Sequence, residues 1–157
     1  MQQRDIDLVA IADALNRHSV KYVLVGDLAA FLYGSKITTS HVEVAICPSH
    51  ENVERLAAAL QEIDARPWKW SAESYRLSRA DLSAHRLNMQ SSAGDVDLLA
   101  RDNLDELSVD SAVFEISEVL VRVASTKILI EMMRATGDEF DDRHAAELQK
   151  ILEDSGQ

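Results

Sequence analysis

The sequence reads as an α/β fold, a small mixed or mostly antiparallel sheet with helices packed on it and a helical pair at the C-terminus. Apolar runs of strand length are twice followed by a turn signal and a helical period within the first 63 residues, the alternation that builds α/β layers. Two further pairs of short strand-like runs follow, and then two helical periods separated by Gly137. Hydrophobic residues make up 46% of the 157 and charged residues 27%, with five Gly and two Pro, a composition that can close a core and that excludes a disordered or collagen-like chain. At this length one domain over residues 1–157 is expected, without help from disulfides or a structural metal.

Taken in order, Leu8, Ile11, Ala12 and Leu15 recur at helical spacing behind Asp5 and Asp7, either of which suits an N-cap, and predict a helix to about His18. Tyr22-Val23-Leu24-Val25 is a buried strand ending at Gly26, and Leu28 to Tyr33 is a short helix stopped by Gly34. His41 to Ile46 alternates polar with apolar residues, placing His41 and Glu43 on one face and Val42, Val44 and Ile46 on the other. Pro48 and Ser49 start a helix that buries Val53, Leu56, Ala57, Leu60 and Ile63. Short strands and loops are expected from Arg66 to Ala84. Arg86 to Gln90 and Asp95 to Ala100 form a hairpin around Ser91-Ser92-Ala93-Gly94, with Asp95, Asp97 and Leu99 on one face. Val113 to Ile116 and Val119 to Val123 form a second strand pair. Ser125 caps a helix to about Thr136 with Ile128, Leu129, Met132 and Met133 inward, and a last helix from about Asp141 to Leu152 buries His144, Leu148 and Ile151.

Twenty-seven acidic against sixteen basic residues give a net charge of −11, which argues against an extended nucleic-acid or anionic-membrane surface; a phosphate ligand needs a locally basic pocket. Cys47 is the single cysteine, so one chain builds neither a disulfide nor a thiolate cluster. The charged Met1 to Val9 stretch is no signal peptide and no run approaches a membrane span, so a cytoplasmic protein is expected.

The chemistry lies in two strands. His41 and Glu43 on one, Asp95 and Asp97 on the other, converge if those strands are neighbours, and phosphoryl-transfer sites hold Mg²⁺ on such carboxylates. They also need a turn whose backbone comes close to the phosphates, which favours glycine between strand and helix; Gly26 stands there.

The stretch Val25-Gly26-Asp27, thirteen residues from Leu28 to Ser40, then His41-Val42-Glu43-Val44 and later Gly94-Asp95-Val96-Asp97-Leu98-Leu99 resembles the minimal nucleotidyltransferases of the polymerase-beta type, close to the abortive-infection and toxin–antitoxin nucleotidyltransferases. Their pattern is an apolar strand, Gly, Gly or Ser, a spacer, Asp, an apolar residue, Asp or Glu, and a third Asp on a later strand. YVLVGDLAAFLYGS and the tail from Val121 to Ser125 are also similar, and the resemblance covers Lys21 to Leu148. It implies a nucleotidyltransferase-like mixed sheet and an NTP and metal site in which His41, Glu43 and Asp97 take the metal-ligand positions, Glu43 and Asp97 the catalytic ones, and Gly26 and Asp27 the triphosphate-facing ones; Lys36 and Lys127, the latter at the start of a helix after the last strand, are the basic residues best placed to meet a nucleotide.

The departures from the pattern share a direction. Asp27 stands where the family has Gly or Ser against the triphosphate, and a carboxylate there repels phosphates. His41 replaces the first ligand Asp, offering nitrogen where Mg²⁺ prefers hard oxygen. Ile37 stands about where an Arg is common, and Phe140, Asp141 and Asp142 where a Lys is common. A rate deficit of several powers of ten is expected from one ligand lost and one repulsive charge gained, each worth roughly a few kcal/mol. Asp95 together with Asp27, Glu43 and Asp97 offers the alternative of a shifted metal, and His41 suits Mn²⁺ or Zn²⁺.

Plainer readings stand beside these. Gly26-Asp27 also suits a capped turn, His41 and Glu43 a solvated strand face, Asp95 a hairpin end, and Lys36 and Lys127 solvated surface charges. Pro67-Trp68-Lys69-Trp70 offers rings for base stacking, but a strand or loop that buries both Trp is the expectation. The five His show no zinc spacing, and Ser35 after Gly34 lacks a nucleophile-elbow motif. The sequence therefore predicts a nucleotidyltransferase-fold protein with a degenerate site, catalytically impaired and acting through binding or regulation with an antitoxin-like partner or a second copy. The alternative is an active enzyme that moves a nucleotidyl group from an NTP to a protein, RNA or small-molecule hydroxyl, with Mg²⁺ or Mn²⁺ as cofactor; the impaired protein needs none.

Overall fold

The computed structural model describes residues 6–36, 39–83 and 86–155. Its order is α1 Leu8–Arg17, β1 Tyr22–Val25, α2 Gly26–Leu32, β2 His41–Ile46, α3 His50–Glu62, β3 Leu87–Met89, β4 Asp95–Ala100, α4 Leu104–Val109, β5 Ser111–Ile116, β6 Val119–Ala124, α5 Thr126–Ala135 and α6 Glu139–Asp154, with a 3₁₀ turn at Arg79–Ser83. The six strands form one mixed sheet in the order β3-β4-β2-β1-β6-β5. β1 is antiparallel to β2 and parallel to β6, and β2 is parallel to β4.

The caps explain where the helices begin. Asp7 accepts from the Ala10 N–H at α1, Ser49 from Asn52 at α3, Ser125 from Ile128 at α5 and Asp138 from Phe140 at α6, each satisfying a backbone donor that has no partner within the helix. Asp7 is the cap, and Asp5 lies outside the described residues. Val23, Val25, Val42, Ala45 and Ile46 are wholly buried, as strands covered on both sides require. α1 packs on α3 and β6; α2 packs on β1, β2 and α5, and α5 lies against α6 as the C-terminal pair. No helix among the described residues is long and apolar enough to cross a membrane.

Four expectations are corrected. The helix after β1 starts at Gly26 rather than Leu28. α4, six residues long with Leu104 and Leu107 buried, is an additional helix. α5 turns Leu129, Ile130 and Met133 into the core and leaves Ile128 and Met132 half-buried, and on α6 Ala145 rather than Ile151 joins His144 and Leu148 inside. Trp68 and Trp70, expected to be buried, are 69% and 55% exposed: they sit within and at the end of a turn closed by the Trp70 N–H on the Pro67 carbonyl, with Lys69 at φ +76°, and Trp70 packs edge-on against Tyr75.

Candidate functional site

Register brings the acidic strands together. In the parallel β2–β4 pair His41 lies beside Asp95 and Glu43 beside Asp97, and since alternate residues share a face, all four point the same way. His41 Nε2 is 3.1 Å from Glu43 Oε1 and 3.6 Å from Asp97 Oδ2. One ligand atom from each of these three residues lies within 4.8 Å of the others, and Asp95 is not in the group.

Two residues outside the motif complete the cluster. Arg86, just before β3, donates from Nη1 to Asp97 Oδ2 at 2.9 Å and lies 3.4 Å from Glu43 Oε1. Asn88, opposite Asp97 in the β3–β4 ladder, donates from Nδ2 to Asp97 Oδ1 at 2.6 Å. A lone Arg or Asn at the start of a short strand carries no periodic signal, so only the pairing reveals them.

Gly26 closes the cluster on the β1 side. Val25 is the register partner of Glu43, and the chain turns into α2 at φ +77°, in the left-handed region that glycine occupies without strain. A Cβ placed there would stand 2.6 Å from Glu43 Cδ and 3.0 Å from its Cβ, so the backbone approaches that carboxylate with no room to spare. Gly26, Asp27, Glu43, Arg86, Arg101 and Asp141 surround a cavity of about 350 Å³ whose other wall is Leu99, Leu129, Met132 and Met133. Lys36 and Lys127 do not line it. Lys36 gives its backbone N–H to Glu147 in the middle of α6, and Lys127 lies exposed on α5. Ile37 lies outside the described residues.

Asp27, on the wall of the same cavity, reaches the α6 residue His144. Its Oδ1 is 2.9 Å from Nδ1 of His144, which is wholly buried, though the pair is not aligned as a hydrogen bond; Nε2 of the same ring bonds Ser35 Oγ at 2.9 Å. The order Ser, His, Asp resembles a hydrolytic triad, but Ser35 is 2% exposed and also engages Glu147, so no substrate carbonyl reaches its hydroxyl. The trio is an internal tie between α2, the following loop and α6.

The electrostatics follow from this packing. Burial alone would raise the Glu43 carboxyl, but the His41 hydrogen bond and the Arg86 guanidinium outweigh it and hold Glu43 below the usual carboxylate value. The hydrogen bond to Glu43 raises His41 against the opposing effect of its burial, with Asp97 adding to the rise. Asp27 is raised, first by burial and then by the carboxylates of Glu43 and Asp141, with His144 opposing. The stabilisation from a raised His is full below 6.5 and is lost as pH rises through the higher folded value; that from a lowered Glu is present above 4.5 and is lost as pH falls through its folded value. Thermal melts of the natural protein and of His41→Gln are therefore expected to differ most on the acid side of 6.5 and to converge at alkaline pH. A difference independent of pH would show that His41 acts only by packing.

No protein-family model matches the chain, and no curated protein matches it in sequence. Solved structures do match in shape. The lincosamide antibiotic adenylyltransferase LnuA, bound to lincomycin, superposes with a TM-score of 0.63 at 12% identity over 94% of this chain and 99% of its own. A Thermotoga maritima protein described as a nucleotidyltransferase gives 0.59 at 16% identity over 94% and 91%. ANT(2″)-Ia in complex with adenylyl-2″-tobramycin gives 0.55 at 14% identity over 92% and 84%. At these identities the likeness speaks for architecture, and on that footing, with a mixed sheet, flanking helices and a C-terminal helix pair all in place, the chain has the fold of the minimal nucleotidyltransferases.

Proposed function

We propose that this protein keeps the nucleotidyltransferase fold but is impaired in catalysis, and that it acts through binding rather than through nucleotidyl transfer. One observation carries the reading: the guanidinium of Arg86 bridges Glu43 and Asp97, the two carboxylates that would hold a divalent cation. Two carboxylates against one guanidinium leave a single net negative charge, and protonation of His41 removes even that. Mg²⁺ takes hard oxygen ligands in strict octahedral geometry, and two compensated carboxylates with an imidazole fit it poorly. Asp27, held beside the cavity, repels a triphosphate in addition. The role that remains is that of a partner in a toxin–antitoxin or phage-defence pair, in a cytoplasmic setting and independent of NTP.

The compact donor group of His41, Glu43 and Asp97 favours a second reading, an active enzyme using Mn²⁺, with Gly26 near the triphosphate. The half-apolar cavity fits a small-molecule hydroxyl as acceptor, the kind of substrate carried by the antibiotic-modifying neighbours. Calorimetric titration of ATP, GTP, CTP and UTP with Mg²⁺ and with Mn²⁺ separates the two. The natural protein is expected to bind none of them, and the Asp27→Ser, His41→Asp double variant is expected to gain binding. Tight binding by the natural protein that is lost in Glu43→Ala would overturn the impaired reading.

A further inference from the structure

The sheet has two edges, and they are not equally guarded. β3 is three residues long, and its chain continues into a bridge between Arg66 and Gln90. β5 is six residues long, Ser111-Ala112-Val113-Phe114-Glu115-Ile116, without proline, lysine or bulge, three of the devices that keep edge strands from pairing, and Glu115 is its single charge. Among the described residues, no backbone hydrogen bond leaves Ser111–Ile116 except to β6.

The hairpin fixes which groups of β5 face outward. Ser117 and Glu118, at φ 49° and 70°, form a two-residue turn of the type that needs both positive angles, and Ile116 and Val119 flank it. Such a turn is closed by a hydrogen-bonded pair. By alternation Phe114–Val121 and Ala112–Val123 are the next bonded pairs, and the N–H and C=O groups of Ser111, Val113 and Glu115 point away from β6.

We infer that β5 pairs antiparallel with β5 of a second copy about a twofold axis at Val113, joining the two sheets into one of twelve strands. Of the even registers, this one gives the longest overlap of the outward groups: Val113 faces Val113, and Ser111 faces Glu115 on both sides of the axis. Charge fits the same register. Arg122, the β6 neighbour of Val113, donates from Nη1 to Ser111 Oγ at 3.0 Å, so its guanidinium lies where the partner's Glu115 arrives. Shifting the register by two residues toward the turn sets Glu115 against Val113, and by four sets Glu115 against Glu115, a like-charge clash. The exposed apolar residues Val109, Val113 at 50% and Leu120 lie in this same region of the chain and gain cover. The inference is independent of whether the nucleotide site is active.

Light scattering on the eluting peak of a sizing column, over a dilution series, tests it. The natural protein is expected at twice its 17.5 kDa mass at the concentrated end. Glu115→Arg sets arginine against Arg122 across the axis and is expected to give the single-chain mass, while Glu115→Arg with Arg122→Glu restores the attraction and the double mass. Val113→Pro removes one outward N–H, leaves the β6 ladder intact and is expected to weaken the dimer, with circular dichroism reporting that each variant is folded. A natural protein of single-chain mass throughout overturns the inference, as does a dimer that folded Glu115→Arg leaves unchanged.

Discussion

Gly26→Ala is expected to lower stability by roughly 2–4 kcal/mol, a fall in Tm of about 6–12 °C for a chain of this size. Two costs add. A left-handed backbone with a Cβ costs roughly 1–2 kcal/mol, and the new methyl must displace Glu43, whose Cβ as well as its carboxyl carbon stands in the way, so rotating the carboxylate end does not clear the clash. Gly137→Ala isolates the first cost, because Gly137 has φ +72° and nothing within 4 Å of an added Cβ. The difference between the two variants, read by thermal or urea unfolding, measures how tightly the turn and the carboxylate are packed. Equal losses would show that Glu43 yields freely and that the turn does not fix its position.

Asp97→Ala is the second large effect, a loss of about 2–4 kcal/mol. The side chain is 6% exposed and accepts from both Arg86 and Asn88, with His41 beside it, so truncation leaves three polar groups facing an emptied position. The lower part of the range applies because Arg86 is half exposed and can turn to water. Asp97→Asn keeps the shape and loses the charge, so a smaller loss is expected. It also removes one of the carboxylates that raise His41, and the His41 imidazole followed by NMR should titrate at lower pH than in the natural protein. An unchanged titration would place Asp97 outside the electrostatic reach of His41.

The strands and long helices were legible because their signals are local. Tyr22–Val25 is an unbroken apolar run, His41–Ile46 alternates, and Ser49 and Ser125 cap helices whose periods follow directly. Neighbourhood is not a local property. That Glu43 lies beside Asp97 depends on β2 and β4 running parallel with β3 outside them, and from the sequence it follows only if those strands are neighbours. The positions of His41, Glu43, Asp97 and Gly26 came from motif spacing, whereas Arg86 and Asn88 enter through pairing alone. α4 escaped because two leucines three residues apart in an acidic segment mark one turn of helix and no more. Trp68 and Trp70 were misplaced because ring size argues for burial, while a turn projects its side chains outward whatever their size.

The contact between Asp27 and His144 bears on how substitutions at the two positions are tolerated. His144 lies wholly inside the protein, and its Nδ1, without a hydrogen-bond partner among the described residues, stands 2.9 Å from Asp27 Oδ1. Changing position 27 to a small neutral residue removes the carboxylate beside a buried ring, and replacing His144 removes the imidazole that opposes the rise of a half-buried carboxyl. The two positions are in direct contact, so the double substitution is expected to cost less than the sum of the two single ones. Which side chains position 27 accepts is in this way set by the core beneath it as well as by the cavity it lines.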